Sequence, residues 1–148
     1  MIKHFENFYL TDNQNTILNK YIDVHTLLQN AYWTKGRSAS TMRDAIANSL
    51  NYAIFETGTD RLVGYARVIT DYATVFYLCD VFIDTEFRGL GLGKKLIEHI
   101  LLHENKLIGI SGLLKTGDAK PLYEKYGFEE CKSICMVRNS IGGTPNDI

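Results

Sequence analysis

The stretch VFYLCDVFIDTEFRGLGLGKK, residues 75–95, carries the decision about this chain's fold. Its first nine residues are apolar or aromatic apart from Asp80, which predicts a strand over Val75–Ile83. The strand feeds Arg88-Gly89-Leu90-Gly91-Leu92-Gly93, followed by Lys94 and Lys95. Leu92, Leu96 and Ile100 then share one helical stripe with Ile97 and Leu101. Glycines between a strand and a helix free the backbone, while the first helical N–H groups point outward. Such a turn suits a pyrophosphate, with Arg88 or Lys94 adding charge-assisted contacts. A purely structural turn would use glycines too. The order lacks G-x-x-x-x-G-K-[ST], which disfavours a Walker A loop. It also follows a hairpin sheet instead of opening an N-terminal βαβ unit, so a dinucleotide fold fits poorly.

Working outward, Tyr52–Phe55 and Leu62–Thr70 read as two strands joined by a turn at residues 58–60, and a turn near Asp71 leads to the strand at 75–83. Upstream, FENFYL at 5–10 reads as one short strand and TDNQN at 11–15 as loop. Apolar residues at helical spacing predict a helix over Tyr21–Trp33. A second, capped by Ser40 or Thr41, runs to about Leu50 with Met42, Ala45, Ile46 and Ser49 inside. Downstream, Leu107–Leu114 reads as a buried strand, Asp118–Tyr126 as a short helix closed by Gly127, and Phe128–Val137 as the last strand. The sum is one α/β domain over residues 1–138, a mixed, largely antiparallel sheet flanked by helices, with a frayed tail at 139–148.

Bulk numbers narrow the function classes. The 148 residues suit one domain, and a formal charge of −1 argues against a surface built to neutralise many phosphates, so no nucleic-acid partner is expected. No run of about 18 apolar residues occurs and the N-terminus has no cleavable apolar core, which leads to the expectation of a soluble, cytoplasmic protein without a membrane partner. Cys79, Cys131 and Cys135 are odd in number and spaced unlike a metal knuckle, so they are expected to be reduced, buried thiols. His99 and His103 stand four apart but lack the H-E-x-x-H pattern and a third ligand, so no metal is expected.

Three pieces in order, YLCDVFI at 77–83, RGLGLG at 88–93 and DAKPLYEKYGF at 118–128, resemble the GCN5-related N-acetyltransferase (GNAT) superfamily. The likeness extends over most of residues 1–138. It implies the acyl-CoA N-acyltransferase fold, acetyl-CoA as cofactor, and direct transfer to a primary amine, with a homodimer plausible for the fold. The cofactor pyrophosphate would sit on Arg88, Gly89, Leu90, Gly91, Leu92, Gly93 and Lys94. The pantetheine arm would run beside Val81, Phe82 and Ile83, in a splay between that strand and Leu107–Leu114. Thr116 stands where several relatives carry a cofactor-side Asn.

The same resemblance makes Tyr123 the general acid near the cofactor sulfur, since a departing thiolate gains from a proton donor within about 3 Å. A sulfur-orienting or structural role for it stays open, and Tyr126 reads as packing. Some relatives carry a catalytic Glu where this chain has Cys79, which is read here as a core residue. Asp80 is charged within an apolar strand, which is costly unless it is paired or functional. It is the candidate base or acceptor-binding residue, against a buried salt bridge. Strict alternation sets it on the face opposite Cys79 and Val81. The resemblance directs the acceptor toward residues 21–43, where Tyr32, Trp33, Lys35, Arg37 and Arg43 suggest a basic, aromatic rim for an acceptor bearing a carboxylate or phosphate, or an aromatic ring. The competing reading is a Trp33 that caps the core beneath solvent-facing charges. A CoA- or acyl-CoA-sensing module without efficient transfer is the alternative function.

Overall fold

A computed structural model describes residues 1–132 and 135–138. Six strands form one sheet in the order of the chain: β1 (Ile2–Phe5), β2 (Phe8–Thr11), β3 (Leu50–Glu56), β4 (Leu62–Thr70), β5 (Val75–Ile83) and β6 (Ser111–Leu114). Neighbours are antiparallel except β5 and β6, which run parallel. On one face lie α1 (Gln14–Asn19), α2 (Tyr21–Leu28) and α3 (Ala39–Ala47), and their Ile17, Val24, Leu28, Met42 and Ile46 pack with Ala53, Phe55 and Tyr65 of the sheet. The opposite face takes α4 (Leu92–Glu98), whose Leu92, Leu96 and Ile97 meet Tyr52, Ile54, Val68, Phe76 and Leu78. α5 (Lys120–Glu124) delivers Tyr123 to this second core. Covered on both faces, β3 and β4 are buried almost end to end, which is why both read as continuous apolar runs.

The N-terminal strand reading needs correction. FENFYL is not one strand: Glu6 takes a left-handed φ of 51°, and a tight turn divides β1 from β2. The pattern concealed it because Phe5 and Phe8 stay apolar on both sides of the turn. The stretch expected to be loop begins α1, with Asn13 as N-cap accepting the Thr16 N–H at 3.0 Å. The helix expected to reach Trp33 ends at Leu28, and Tyr32–Thr34 forms a single 3₁₀ turn held by Thr34 Oγ1 donating to the Leu28 and Ala31 carbonyls. α3 is capped by Ser38, which accepts the Thr41 N–H at 3.1 Å.

Three further readings change at the C-terminal side. Only Ser111–Leu114 of the expected 107–114 strand pairs; Leu107 is buried at a turn closed by Ile110 N–H on its carbonyl (3.2 Å). Gly112 sits directly against Phe76, where a Cβ would stand 2.3 Å from the ring, so only glycine lets β6 close on β5 there. The expected last strand over Phe128–Val137 is not a strand in its described residues, and Ser133 and Ile134 lie outside them, as does the 139–148 tail. Cys131 and Cys135 are exposed instead of buried, because no ladder carries them into a core.

The central irregularity lies in β5. Tyr65 pairs with Phe82 but Arg67 with Cys79, so two residues of β5 oppose one of β4, and Asp80 takes a φ of 54°. This is a β-bulge, and it shifts the alternation. Before it, Phe76 and Leu78 face the α4 core; after it, Val81 and Ile83 do, while Phe82 turns to the α1–α3 core. The strict alternation that sets Asp80 opposite Cys79 therefore does not hold across the bulge. The extra residue resets the faces between them.

His99, continuing α4 into a π-helical turn over His99–His103, is buried against the Tyr52 ring at 5.7 Å, with neither ring nitrogen hydrogen-bonded among the described residues. Burial holds its pKa below the ordinary 6.5, helped by Lys3 and His103 and opposed by Asp12 and Glu104. A base whose folded pKa is depressed favours the folded state when neutral. That stability is present above the unfolded pKa and is lost as pH falls through about 6.5 toward the folded value. Thermal melts at stepped pH should show a midpoint falling below about pH 6.5, with a shallower fall in His99→Leu; an unchanged slope in the variant would remove His99 from the acid limb.

Candidate functional site

β5 pairs with β6 only from Val75/Ser111 to Leu78/Leu114. Beyond the bulge the two parallel strands separate, and residues 79–83 have no ladder on that side. The Asp84 N–H donates to Val63 O at 2.8 Å across the β4 side. Amide directions alternate along a strand, so Ile83 and Val81 turn their backbone groups away from β4, into the splay. Arg88 Nε donates to Ile83 O at 3.2 Å, which occupies one acceptor of this edge and leaves its N–H donors, that of Val81 among them, facing the splay.

At the lower end of the splay the glycine turn opens α4. Gly89 and Gly91 have φ of 82° and 75°, and Gly91 is the helix N-cap. The first return bond of the helix is Lys95 N–H to Gly91 O at 3.1 Å, so residues 88–94 keep their N–H groups free of main-chain acceptors among the described residues. A cavity of about 620 Å³ lies over this turn, lined by Val81, Phe82, Ile83, Arg88, Gly89, Gly91, Leu92 and Gly93, together with Phe87, Leu122 and Tyr123. Of the expected cofactor residues, Leu90 is exposed outside this lining, Lys94 points to Glu98 (3.7 Å), and Thr116 lies outside it as well, bordering a neighbouring cavity. Free amides at a helix start, an apolar trough and an unpaired strand edge fit the pyrophosphate and pantetheine of a CoA thioester.

A second cavity of about 380 Å³ continues beyond the bulge, bounded by Arg37, Arg67, Ile69, Tyr77, Cys79, Asp80, Thr116 and Asp118. Tyr32, Trp33, Val81, Asp118, Ala119 and Tyr123 line both cavities, so they mark the junction. Tyr123 is held there by α5, its ring edge-on to Phe128 at 6.0 Å, and its Oη has no protein partner among the described residues. Burial, reinforced by Asp118, pushes its pKa up to about 12, so the phenol keeps its proton. Thr116 Oγ1 accepts the Ala119 N–H at 3.0 Å, which fixes the turn into α5.

Asp80 is buried and ion-paired: its Oδ2 accepts from Arg67 Nε at 2.8 Å and from Arg37 Nη1 at 2.9 Å. Sequence reasoning singled out Asp80 and Arg37 but missed Arg67. The signal was present, for Arg67 is the lone charge in β4 as Asp80 is in β5. Two opposite charges in adjacent buried strands predict each other. Trp33 stacks edge-on to Tyr32 (4.9 Å) and Phe82 (6.2 Å), so it covers the core and lines the junction at once. Lys35 and Arg43 do not belong to the expected basic rim: both are exposed, Arg43 pairs with Asp44 at 3.3 Å, and neither lines a cavity. Cys79 borders the smaller cavity, and burial pushes its thiol up to about 12, which leaves it neutral. Among the described residues no group of three His, Cys, Asp or Glu side chains is gathered as a metal site would need, and no helix is long and apolar enough to cross a membrane.

Comparison with known proteins identifies the family and the fold. Residues 48–130 match the acetyltransferase (GNAT) domain model. The N-acetyltransferase ycf52 of Pyropia yezoensis is 32% identical over 129 residues, spanning 84% of this chain and 71% of that protein. A GNAT-family structure from Xanthomonas campestris pv. campestris superposes with a TM-score of 0.76 at 35% identity, covering 87% of this chain and 89% of the other. A Staphylococcus aureus structure shares the fold at a TM-score of 0.71 and 24% identity, covering 95% of this chain and 100% of that one.

The glycine turn can be tested without turnover. A Cβ at Gly91 meets nothing within 4 Å, so Gly91→Ala strains the backbone alone. It should cost about 1–2 kcal/mol of stability and weaken CoA binding in calorimetry. Wild-type CoA affinity in this variant would overturn the turn's role as an anion cradle.

Proposed function

Since the chain belongs to the GNAT acetyltransferase family, we propose that it acetylates a primary amine directly, with acetyl-CoA and the amine bound together. The observation that carries this reading is the meeting of two cavities at Tyr123 and the Val81 edge. The larger takes the cofactor and the smaller takes the acceptor. Acetyl-CoA supplies an acetyl group activated as a thioester.

Each role follows from a named atom. Free N–H groups over residues 88–94 hold the pyrophosphate, with the exposed Arg88 guanidinium nearby as a counter-charge. The Val81 N–H donates to the carbonyl oxygen whose negative charge grows during attack. Tyr123 Oη holds the proton that the departing sulfur takes. Solvent in the smaller cavity accepts the proton of the attacking amine, because Oδ2 of Asp80 is already shared by two guanidiniums. Thr116 acts by fixing the turn that sets α5.

Tyr123→Phe should lower kcat about 100-fold while leaving CoA affinity unchanged, and equal turnover would remove the tyrosine from the chemistry. Because the raised pKa of about 12 keeps the phenol protonated, its donor function is lost only as pH climbs toward that value. With an alkyl amine, kcat/KM should rise from about pH 6 to about pH 9 as the amine deprotonates. A descending limb near pH 8 that vanishes in the Phe variant would contradict the assignment. Tight CoA binding without product across an amine panel would identify a sensor instead.

A further inference from the structure

The smaller cavity has an uneven charge. Arg37, Arg67 and Lys115 border it against two carboxylates, Asp80 and Asp118, which leaves one positive charge in excess. The excess is concentrated where both guanidiniums share one oxygen of one buried carboxylate, with the two arginine side chains only 18% and 10% exposed. Burying a charge in excess of its partners is costly, and neighbouring groups do not offset it. Burial keeps the Cys79 thiol and the Tyr65 and Tyr77 phenols protonated, so none supplies an anion.

Donors are left over as well. Arg67 uses Nε on Asp80 and Nη1 on Ser49 (3.1 Å), and Arg37 uses Nη1 on Asp80 and, more distantly, on Met42 sulfur (3.7 Å). Arg37 Nε and Nη2 and Arg67 Nη2 donate to no protein acceptor among the described residues, yet none is sealed from solvent. A planar pair of guanidinium donors beside a cavity matches a carboxylate. Ile69 and Tyr77, directly paired across β4 and β5, give the same cavity an apolar wall.

We propose that the acceptor is an amine that also carries a carboxylate, an amino acid or a close analogue, and that Arg37 and Arg67 bind that carboxylate. This rests on the transferase reading for its amine and on the charge excess for its acid. A polyamine or aminoglycoside would bring further cations to a site already positive. A carboxylate completes the excess charge and leaves the amino group toward the junction at Tyr123.

The test separates the two parts. CoA-loaded protein is titrated calorimetrically with the N-acetyl derivatives of glycine, β-alanine, leucine and phenylalanine, each as free acid and as primary amide. Acids should bind at least about tenfold tighter than their amides, as a charge-assisted bond lost in a half-buried site requires. Arg37→Gln should erase that preference, Arg37→Lys should restore part of it, and CoA affinity should not move. Equal binding of acid and amide, or binding of neither, overturns the carboxylate site, and this wild-type comparison holds whether or not a variant folds. Acetyl-CoA consumption with the corresponding free amino acids is read separately. Acids that bind while no amino acid is acetylated would sink the transferase reading and leave the carboxylate site standing.

Discussion

The bulge at Asp80, held by Arg67 and Arg37 on one carboxylate oxygen, is the constraint on which the rest of the site depends. An L-residue in left-handed backbone costs roughly 1–2 kcal/mol, and Asp tolerates it better than most. The two ion pairs, at 2.8 and 2.9 Å, hold the strained residue in place. Three consequences follow. The bulge bends β5, and its pairing with β6 ends just before it, which opens a wedge. The change in alternation sends Phe82 into one core and Val81 and Ile83 toward the other, so both sheet faces stay filled while an edge stays free. It also brings Arg37, from the segment between α2 and α3, onto the sheet, which closes the second cavity.

The second structural demand is on the turn into α4. Leu92, Leu96 and Ile97 are fully committed to the core, which leaves the helix no freedom to rotate. Its N-terminus is therefore fixed against the splay, and the amides of 88–94 point where an anionic ligand would lie. α5 is short, yet Tyr123 is buried within it and its C-terminal turn is closed by the Gly127 and Phe128 N–H groups on the Glu124 and Tyr123 carbonyls. One helix start and one short helix thus face each other across the open edge of β5.

Much of this was legible in the residues. The residues of Val75–Ile83 mark the strand to its observed ends, those of β3 and β4 mark the hairpin, and the glycine loop marks the start of α4. These segments carry strong local signals, either a dense apolar run or glycines where the backbone needs positive φ. The errors arose where local signal was weak or misleading. Glu6 turns the chain inside an aromatic run, and Leu107 is buried without being in a strand. Cys135 has apolar neighbours in sequence and Cys131 has charged ones, and no element carries either inward.

The candidate site divides along the same line. Gly89 and Gly91 were identifiable from their place between a strand and a helix, and Tyr123 through the family resemblance of the contiguous stretch around it. Arg67 and the charge excess were not, since they arise from pairing residues 37, 67 and 80 across three segments. By itself the sequence determined the class of fold and the glycine turn that opens α4, for both follow from periodicity and from backbone conformations that only certain residues accept. Tertiary structure alone decided which face Asp80 occupies and what charge the second cavity bears. A one-residue bulge inverts every side chain beyond it, and no periodicity read along a single strand reports the partner strand that imposes it.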